Sequence, residues 1–376
     1  MRASSLVWVL AACGCGRTTL AEDAADSTPE ELVYADGEPG VDATPEVPAP
    51  TEADADATRD APDGDATWDD APDGDANASD DAADADGEAV EDAGPGPVVL
   101  TTKLVAPRAI AIGAGFAWVT DMAGQIARVP LTGGDPVKVA TAVRPTYIAV
   151  ESTYVYWTDL GVGTPNSGSV GRYDMATGAA TLLAKAQDAP NSTVLRGPDV
   201  LWAHGGGSGE IRSVPRAGGV VATVASAEPF PYYVTANSTR ICWVRRTLAS
   251  SIVCRQDGAA AVITLAPASD YIRHLAIDES HAYWITEDGH LRGMALSGGA
   301  PSLLWPEPPT TKTPAGAAIA LDATHVYWLV GRYVRKVAKT GGPVTELATD
   351  KYPLGIAVDA THVYWTSENT VKRVAR

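Results

Sequence analysis

The sequence predicts an all-β fold from residue 97 onward, a seven-bladed β-propeller with four-stranded blades. Three observations predict this fold. A motif that ends in an aromatic residue and tryptophan recurs along the chain, glycine-containing pairs follow most copies, and the two ends of the region carry complementary parts of one repeat. Self-similarity at a period of about 40–45 residues is typical of propellers, in which each repeat forms one blade.

The repeat is clearest in residues 319–328 and 356–365, which read IALDATHVYW and IAVDATHVYW. We expect the tryptophan of each copy to lie on the second strand of its blade and to pack against a neighbouring blade. The third and fourth copies are the most divergent, and their merging would give six blades as the alternative. Counting the clear and the divergent copies, seven copies each end in a tryptophan: Trp118, Trp157, Trp202, Trp243, Trp284, Trp328 and Trp365. Successive tryptophans are 39, 45, 41, 41, 44 and 37 residues apart.

Each copy predicts four strands, here called a to d in chain order. An apolar Ile-Ala-Val piece indicates strand a, the aromatic-Trp pair strand b, an apolar-x-Arg pattern strand c, and a Val/Leu-rich piece strand d. Between strands c and d, Gly-Gly or Asp-Gly pairs favour tight hairpins because such turns require positive φ angles. These pairs begin at Gly133, Gly218, Asp257, Gly298 and Gly341.

The two ends of the repeat region complement each other. The last copy stops at Arg376 after strand c, whereas a strand-like piece beginning at Pro97 precedes the first copy. Pro97 and Pro107 are ten residues apart, and so are Pro343 and Pro353 in the complete repeat. We therefore expect the N-terminal strand to complete the last blade, which removes two open sheet edges.

The segment Tyr156-Trp157-Thr158-Asp159 resembles the YWTD repeat of low-density-lipoprotein-receptor-type propellers, and the segments that begin at Trp118, Trp284 and Trp365 follow it loosely. The resemblance implies a propeller over nearly all of residues 97–376 and implies no ligand. Propellers of that family have six blades, whereas this chain carries seven copies. The repeat also resembles bacterial exported propeller proteins built on an Ile-Ala-Val-Asp…Tyr-Trp unit.

Residues 1–12 are typical of an export signal. Arg2 is followed by the apolar run 6–12, which is too short to span a bilayer, since that takes about 20 residues. Leu10-Ala11-Ala12-Cys13 resembles the lipobox of bacterial lipoproteins, which implies cleavage before Cys13 and a lipid on this residue; an ordinary secretory signal cut after Ala12 is the alternative. The following Gly14 resembles the pattern for outer-membrane sorting. We therefore expect a lipid-anchored protein of the cell envelope, at the outer membrane.

Residues 13–96 are predicted to form a disordered acidic stalk. Residues 21–100 contain 26 acidic residues and a single basic one, Arg59. The segment DAPDGDA occurs twice in tandem, starting at Asp60 and Asp70. Such a composition cannot bury enough apolar surface to fold, and about 80 flexible residues reach roughly 50 Å. Asp84 and Asp86 echo part of a calcium-binding loop, but the ligand set is incomplete.

The charge and motifs of the folded region exclude several functions. Residues 101–376 contain 21 acidic and 25 basic residues, so their near-neutral balance gives no indication of a nucleic-acid partner. The sequence contains no nucleophile elbow, phosphate-binding loop or paired-cysteine metal motif. His281, His325 and His362 occupy one repeat position, which favours a turn role over a shared metal. We therefore expect a monomer with no cofactor, no metal and no catalytic residues; a propeller enzyme, a metal-dependent lyase or lactone hydrolase using the central channel, is the alternative.

Two cysteines lie within the repeat region. Cys242 and Cys254 are twelve residues apart, on strands b and c of the fourth blade. Export makes a disulfide chemically permissible. We predict that they are bonded to each other.

The longest connections are predicted on one face. They are three b–c loops, near residues 159–169, 203–210 and 245–251, and the d–a link at 305–318. Insertions gathered on one face of a repeat array mark the binding face. The d–a links on this face are expected to add aromatic and arginine residues, which suit an unidentified protein or glycan partner. The alternative is that these rings pack between blades. The candidate binding residues are Tyr147, Asp159, His204, Tyr232, Arg245, Arg246, Tyr271, Arg273, Trp305 and Tyr352.

Overall fold

The computed structural model describes residues 96–205, 209–247, 249–266, 271–305 and 316–376. Within these ranges 28 strands form seven four-stranded antiparallel sheets. Strand a of each sheet contacts strand a of the next, so the sheets form a ring of blades around a central channel. The predicted all-β fold and the blade number are thereby confirmed. The predicted signal, Cys13 and the stalk up to residue 95 lie outside the described residues.

The strands of blades 1 to 4 follow one another in the chain. Blade 1 contains β2 (Pro107–Gly113), β3 (Phe116–Asp121), β4 (Gln125–Pro130) and β5 (Val137–Thr141). Blade 2 contains β6 (Pro145–Val150), β7 (Tyr154–Asp159), β8 (Gly168–Asp174) and β9 (Ala180–Gln187). Blade 3 contains β10 (Asn191–Arg196), β11 (Asp199–His204), β12 (Gly209–Pro215) and β13 (Ala222–Glu228). Blade 4 contains β14 (Pro231–Ala236), β15 (Arg240–Arg245), β16 (Ser251–Gln256) and β17 (Ile263–Ala266).

The remaining blades repeat this pattern, except that the last one uses a strand from the start of the domain. Blade 5 contains β18 (Ile272–Ile277), β19 (His281–Thr286), β20 (Leu291–Ala295) and β21 (Ser302–Trp305). Blade 6 contains β22 (Ala317–Leu321), β23 (His325–Val330), β24 (Tyr333–Ala338) and β25 (Thr345–Thr349). Blade 7 contains β26 (Pro353–Val358), β27 (His362–Ser367), β28 (Thr370–Ala375) and β1 (Val98–Thr101). No helix among these residues is long and apolar enough to cross a membrane.

Strand β1 occupies the outer position of blade 7. It runs antiparallel to β28, with Val98 opposite Arg373 and Thr101 opposite Val371. Leu100 is buried in the same apolar cluster as Val371. The domain therefore begins and ends in one blade.

The seven repeat tryptophans all lie on the second strand of their blades and are at most 3% exposed. They pack between blades, as in the cluster that joins Trp118 of blade 1 to Trp157 and Tyr173 of blade 2. Where Trp157 faces Gly171 across the strand pair, a Cβ on the glycine would lie 2.2 Å from the indole ring. The repeat motif is therefore the signature of the inter-blade core.

The a–b turns carry a second repeated feature, a carboxylate that caps the turn and reaches the next blade. Asp322 accepts hydrogen bonds from the backbone N–H of Thr324 and His325 and from the hydroxyl of Tyr327. Its Oδ2 also lies 2.8 Å from Arg376 of blade 7. Burial opposes ionisation, but these hydrogen bonds and the arginine outweigh it and lower the pKa of Asp322 to about 2. The repeated histidines His281, His325 and His362 open strand b of their blades, and the backbone N–H of each donates a hydrogen bond to the turn aspartate.

The same ion pair recurs around the ring. Lys339 of blade 6 lies 2.8 Å from Asp278 of blade 5, and Arg216 of blade 3 lies 2.5 Å from Glu151 of blade 2. In each case a cation that follows strand c binds the turn carboxylate of the preceding blade. These pairs add polar contacts between neighbouring blades at the side of the a–b turns.

Cys242 and Cys254 lie directly opposite each other on β15 and β16 and are joined by a disulfide. Both are buried in the apolar cluster between blades 4 and 5. The bond therefore crosslinks a hairpin inside the core.

The position of Trp305 corrects the expectation that it lies in a surface link. It is the last residue of β21 and is only 6% exposed. Its ring lies 6.0 Å from that of Trp328, and the Arg335 guanidinium stacks 4.6 Å from its centre. Trp305 is therefore a core residue between blades 5 and 6.

Candidate functional site

The central channel is formed by strand a of the blades. Because the strands of each blade are antiparallel and consecutive, the b–c and d–a connections share one side, here called the loop-bearing face, and the a–b and c–d turns share the other, the turn face. At the start of the a strands the channel widens into a cavity of about 370 Å³, here called the channel cavity. Its polar lining residues are Arg108, Thr146, Tyr147, Tyr233, Arg273 and His274.

These residues occupy two adjacent repeat positions. Each comes one or two residues after the residue that opens its a strand, such as Pro145 before Tyr147 or Ile272 before Arg273. The a strands of every blade except blade 6 also shift register there. Within such a shift Tyr233 has a φ of 52°, a left-handed conformation that is rare for a bulky side chain. The irregular start of strand a therefore supplies the channel lining.

A group of tyrosine and arginine side chains adjoins the cavity. The Arg246 guanidinium lies between two rings, 4.6 Å from the centre of Tyr232 and 4.4 Å from that of Tyr271. Arg273 lies 5.8 Å from the Tyr271 ring. Cation–π contacts of this kind contribute about 0.5–2 kcal/mol each. We call Tyr232, Arg246, Tyr271 and Arg273 the Tyr–Arg cluster.

The Tyr–Arg cluster and the channel cavity are continuous. Tyr233 lines the cavity, and its ring centre lies 5.8 Å from that of Tyr232 in the cluster and 5.3 Å from that of His274 in the channel. Arg273 belongs to both. The two features form one site that spans blades 4 and 5 and reaches the channel.

Burial sets the protonation states in this site. Burial, reinforced by the neighbouring Tyr233 and Tyr232 and opposed by two arginines, raises the pKa of Tyr147 well above its ordinary value. Burial also raises the pKa of Tyr233 and lowers the pKa of His274 to about 4. At neutral pH the phenols therefore keep their protons as hydrogen-bond donors, and His274 is uncharged.

The structure brings together five of the predicted binding residues: Tyr147, Tyr232, Arg246, Tyr271 and Arg273. Their position differs from the expectation in one respect. Tyr147, Tyr232 and Arg273 lie in the a strands rather than in the d–a links, because those strands begin at Pro145, Pro231 and Ile272. The site consequently lies beside the channel, which the a strands line.

Two other predicted binding residues are used inside the fold. Asp159 is 5% exposed and accepts hydrogen bonds from the backbone N–H groups of Val143 and Arg144 in the link that enters its blade. His204 is buried, and its Nδ1 accepts a hydrogen bond from the N–H of Asp188 at 3.2 Å. Both side chains hold connections in place, which corrects their assignment to a binding surface.

The remaining predicted residues lie apart from the site. Arg245 is bound through two nitrogens to the buried Glu228, at 2.7 and 3.0 Å. Tyr352 is 47% exposed in the link before blade 7, beside Lys351. Trp305 belongs to the core, as described above. None of the three lines the channel cavity.

Four residues of the site are absent from the candidate binding residues predicted from the sequence: Arg108, Thr146, Tyr233 and His274. Arginine recurs at the first of these positions in blades 1 and 5 and tyrosine at the second in blades 2 and 4, but the other blades carry other residues, so no motif runs through all copies. Their signal is the position itself, one or two residues after the opening of strand a.

No group of three or more metal-ligating side chains occurs within residues 96–376 as far as the structure describes them. Among the described residues that line the channel cavity, none is acidic.

Comparison with known proteins supports the fold. No family model matches the chain, and no curated protein matches it. Among solved structures, the WD40 β-propeller domain of Doa1 is similar with a TM-score of 0.59 and 12% identity, over 74% of this chain and 95% of that one. The computationally designed Ika8 protein gives a TM-score of 0.55 and 11% identity, over 74% and 98% of the two chains.

A third similar structure is PorZ of Porphyromonas gingivalis, described as an essential bacterial surface component of the type-IX secretion system. The TM-score is 0.54 at 14% identity, and the match covers 73% of this chain and 37% of PorZ. At such low identities, these likenesses establish a β-propeller and nothing narrower.

Proposed function

We propose that this protein is a cell-envelope lipoprotein whose β-propeller is a binding module for a protein or glycan, contacted through the loop-bearing face. The observation that carries the proposal is the Tyr–Arg cluster, in which Arg246 lies between Tyr232 and Tyr271 beside an open cavity. Tyrosine and arginine are the residue types that dominate the binding energy of protein interfaces. Their partial exposure on one face makes this cluster the natural contact point.

The direction of strand β1 supports the same role. β1 runs antiparallel to β28, so Val98 lies toward the turn face and Thr101 toward the loop-bearing face. An N-terminal segment that carries a lipid on Cys13 would thus enter the domain opposite the Tyr–Arg cluster. In this proposal an acidic stalk over residues 13–96 would hold the domain at a distance from the membrane.

Two resemblances are consistent with this proposal. Residues 156–159 read YWTD, and we propose that the repeat is related to YWTD propellers despite the different blade number. PorZ, which has a similar fold, is described as a surface component of a bacterium.

Partner capture tests the binding role. The purified protein is immobilised and exposed to extract of the source organism's envelope, and retained proteins and glycans are identified. Tyr271→Ala should reduce retention at least tenfold, because it removes one ring that holds Arg246. Arg332→Ala is the matched control, since Arg332 lies in the b–c turn of blade 6, away from the cluster. Equal retention by the wild type and Tyr271→Ala would contradict the proposal.

The anchor is tested separately. In a bacterial host, Cys13→Ser should abolish lipid labelling and release the protein from the membrane fraction. Retention of label and membrane attachment by the variant would show that Cys13 is not the lipid site.

A channel enzyme is the second candidate, and the channel cavity of about 370 Å³ is the observation that favours it. A metal-dependent lyase or lactone hydrolase requires a bound divalent cation. A thermal-shift series with Mg²⁺, Ca²⁺, Mn²⁺ and Zn²⁺ separates the two functions. A large stabilisation by one metal alone would favour the enzyme over the binding module.

A further inference from the structure

We propose that the channel cavity is an anion-binding site that takes the carboxylate or phosphate group of a small ligand, with Arg108 and Arg273 as its charged donors. The inference rests on the proposed binding role of the loop-bearing face and adds the chemical class of the ligand. Both arginines line the same cavity, although they come from blades 1 and 5. Guanidinium groups bind carboxylate and phosphate through paired, charge-assisted hydrogen bonds.

The charged side chains that line the cavity are both arginines. Among the described residues no carboxylate forms an ion pair with Arg108, and the exposed Glu287 binds only Nη2 of Arg273, at 2.9 Å. The described lining brings no acidic side chain of its own. Arg246 adds a third cation behind Tyr233. An anion entering from the loop-bearing face therefore meets cations without competing carboxylates in the lining.

Three residues that line the cavity have a buried polar atom without a protein partner. Thr146 Oγ1, His274 Nδ1 and Arg273 Nε are buried and make no hydrogen bond within the described protein. A buried polar atom without a partner costs about 1–3 kcal/mol, so such atoms are normally satisfied by protein, water or ligand. Three such atoms on residues of one cavity are available to hydrogen-bond a polar ligand or water.

The other lining groups suit an oxyanion. The phenols of Tyr147 and Tyr233 stay protonated at neutral pH, so each can donate a hydrogen bond to a negatively charged oxygen. Uncharged His274 can accept a hydrogen bond from a ligand hydroxyl group or donate one to it, depending on its tautomer. The site thus combines charged donors for an anionic group with neutral groups for hydroxyls.

The size of the cavity limits the ligand. A volume of about 370 Å³ is at the lower end of the range for small-molecule sites. It admits a single small molecule or the end unit of a longer chain. A folded protein surface cannot enter it.

Three sugars that differ in one group test the inference on the full protein by calorimetric titration at low salt. These are galactose, galacturonate and galactose 6-phosphate, which are neutral, carboxylated and phosphorylated. We expect one or both anions to bind at least tenfold more tightly than galactose, and binding to weaken as sodium chloride is added. The anion that binds more tightly shows whether the site prefers a carboxylate or a phosphate group.

Variants locate the binding. Arg108→Gln and Arg273→Gln should each raise the dissociation constant of the anion roughly tenfold to a hundredfold, which is the usual effect of losing a charge-assisted hydrogen bond. Arg332→Gln removes an exposed cation from the same face and should leave it unchanged. Tyr147→Phe removes only one hydroxyl and should weaken binding less than either arginine change. Melting temperatures of all variants establish that they are folded.

Several results would overturn the inference. They are galactose binding as tightly as the anions, anion binding that is unaffected by both arginine changes in folded protein, and no binding of either anion at about 10 mM. The proposed function fails independently. If Tyr271→Ala leaves partner capture intact while anion binding follows Arg108 and Arg273, the channel site stands and the surface role does not.

Discussion

Replacement of Asp350 by alanine tests how the acid after strand d supports the tryptophan of the next blade. Asp350 follows β25 and is 8% exposed. Its carboxylate accepts hydrogen bonds from Trp365 Nε1 at 2.7 Å, Ser367 Oγ at 2.9 Å and the N–H of Lys351 at 2.7 Å. Lys372 Nζ lies 2.8 Å away. One side chain therefore joins the link, strand b and strand c of blade 7.

The loss of stability caused by Asp350→Ala follows from the polar groups that it leaves without a hydrogen-bond partner. Trp365 Nε1 and Ser367 Oγ are buried, and each buried donor without a partner costs about 1–3 kcal/mol. Lys372, whose side chain is 23% exposed, loses its carboxylate partner as well. Breaking a buried charged pair typically costs about 3–5 kcal/mol in total. For a domain of this size that lowers Tm by about 6–10 °C.

Differential scanning calorimetry measures the effect, and two variants calibrate it. Glu228→Ala removes the equivalent acceptor from Trp243 Nε1, at 2.8 Å, and should cost a similar amount. Asp135→Ala removes an exposed ion pair with Lys103 and should cost less than about 0.5 kcal/mol. If the Tm of Asp350→Ala lies within 1–2 °C of the Asp135→Ala value, roughly 1 kcal/mol, the carboxylate does not support the blade and the reasoning fails.

Four further predictions follow from the fold. Trp305→Ala should cost about 3–5 kcal/mol and lower Tm accordingly, whereas an unchanged Tm would contradict its core position. The pKa of Asp322 in the folded protein, about 2, lies below its value in the unfolded chain. The contribution of Asp322 to stability is therefore present above pH 4 and is lost as the pH falls from 4 to 2. Over this range the Tm of Asp322→Asn should decline less steeply than the Tm of the wild type. Mass spectrometry without reductant should find Cys242 and Cys254 in one linked peptide pair, and reduction should cost about 2–4 kcal/mol; two free thiols would refute this. Deletion of residues 97–103 exposes the edge of β28 and should give aggregated protein by size-exclusion chromatography, and a monomeric deletion variant with wild-type Tm would count against the role of β1.

The blades could be predicted because their determinants are local and repeated. A tryptophan on strand b and a glycine pair before strand d occur in most copies, and each specifies its own hairpin without reference to distant residues. Trp305 shows where this reasoning ends. It lies outside the repeat register next to prolines, and its burial depends on Trp328 and Arg335 of the following blade.

The channel cavity could not be predicted in the same way. Its lining comes from six blades, and its polar side chains come from only four of them, without a residue type that recurs in every blade. The chemistry appears only when the ring brings these positions together. The prediction that placed Tyr147 and Arg273 on the binding side was therefore near the site without identifying it, because the exact start of each a strand decides whether a side chain faces the channel.

The pairing of β1 with β28 has a mechanical consequence. Tension between the N-terminal segment and a ligand held on the loop-bearing face would act along β1, because this strand runs from the turn face to the loop-bearing face. Force along a strand loads its hydrogen bonds together, in shear, whereas force across the strand would break them one at a time. If the domain is tethered through β1, a pull from its ligand would load the hydrogen bonds between β1 and β28 in shear, the direction in which this short strand pair resists force best.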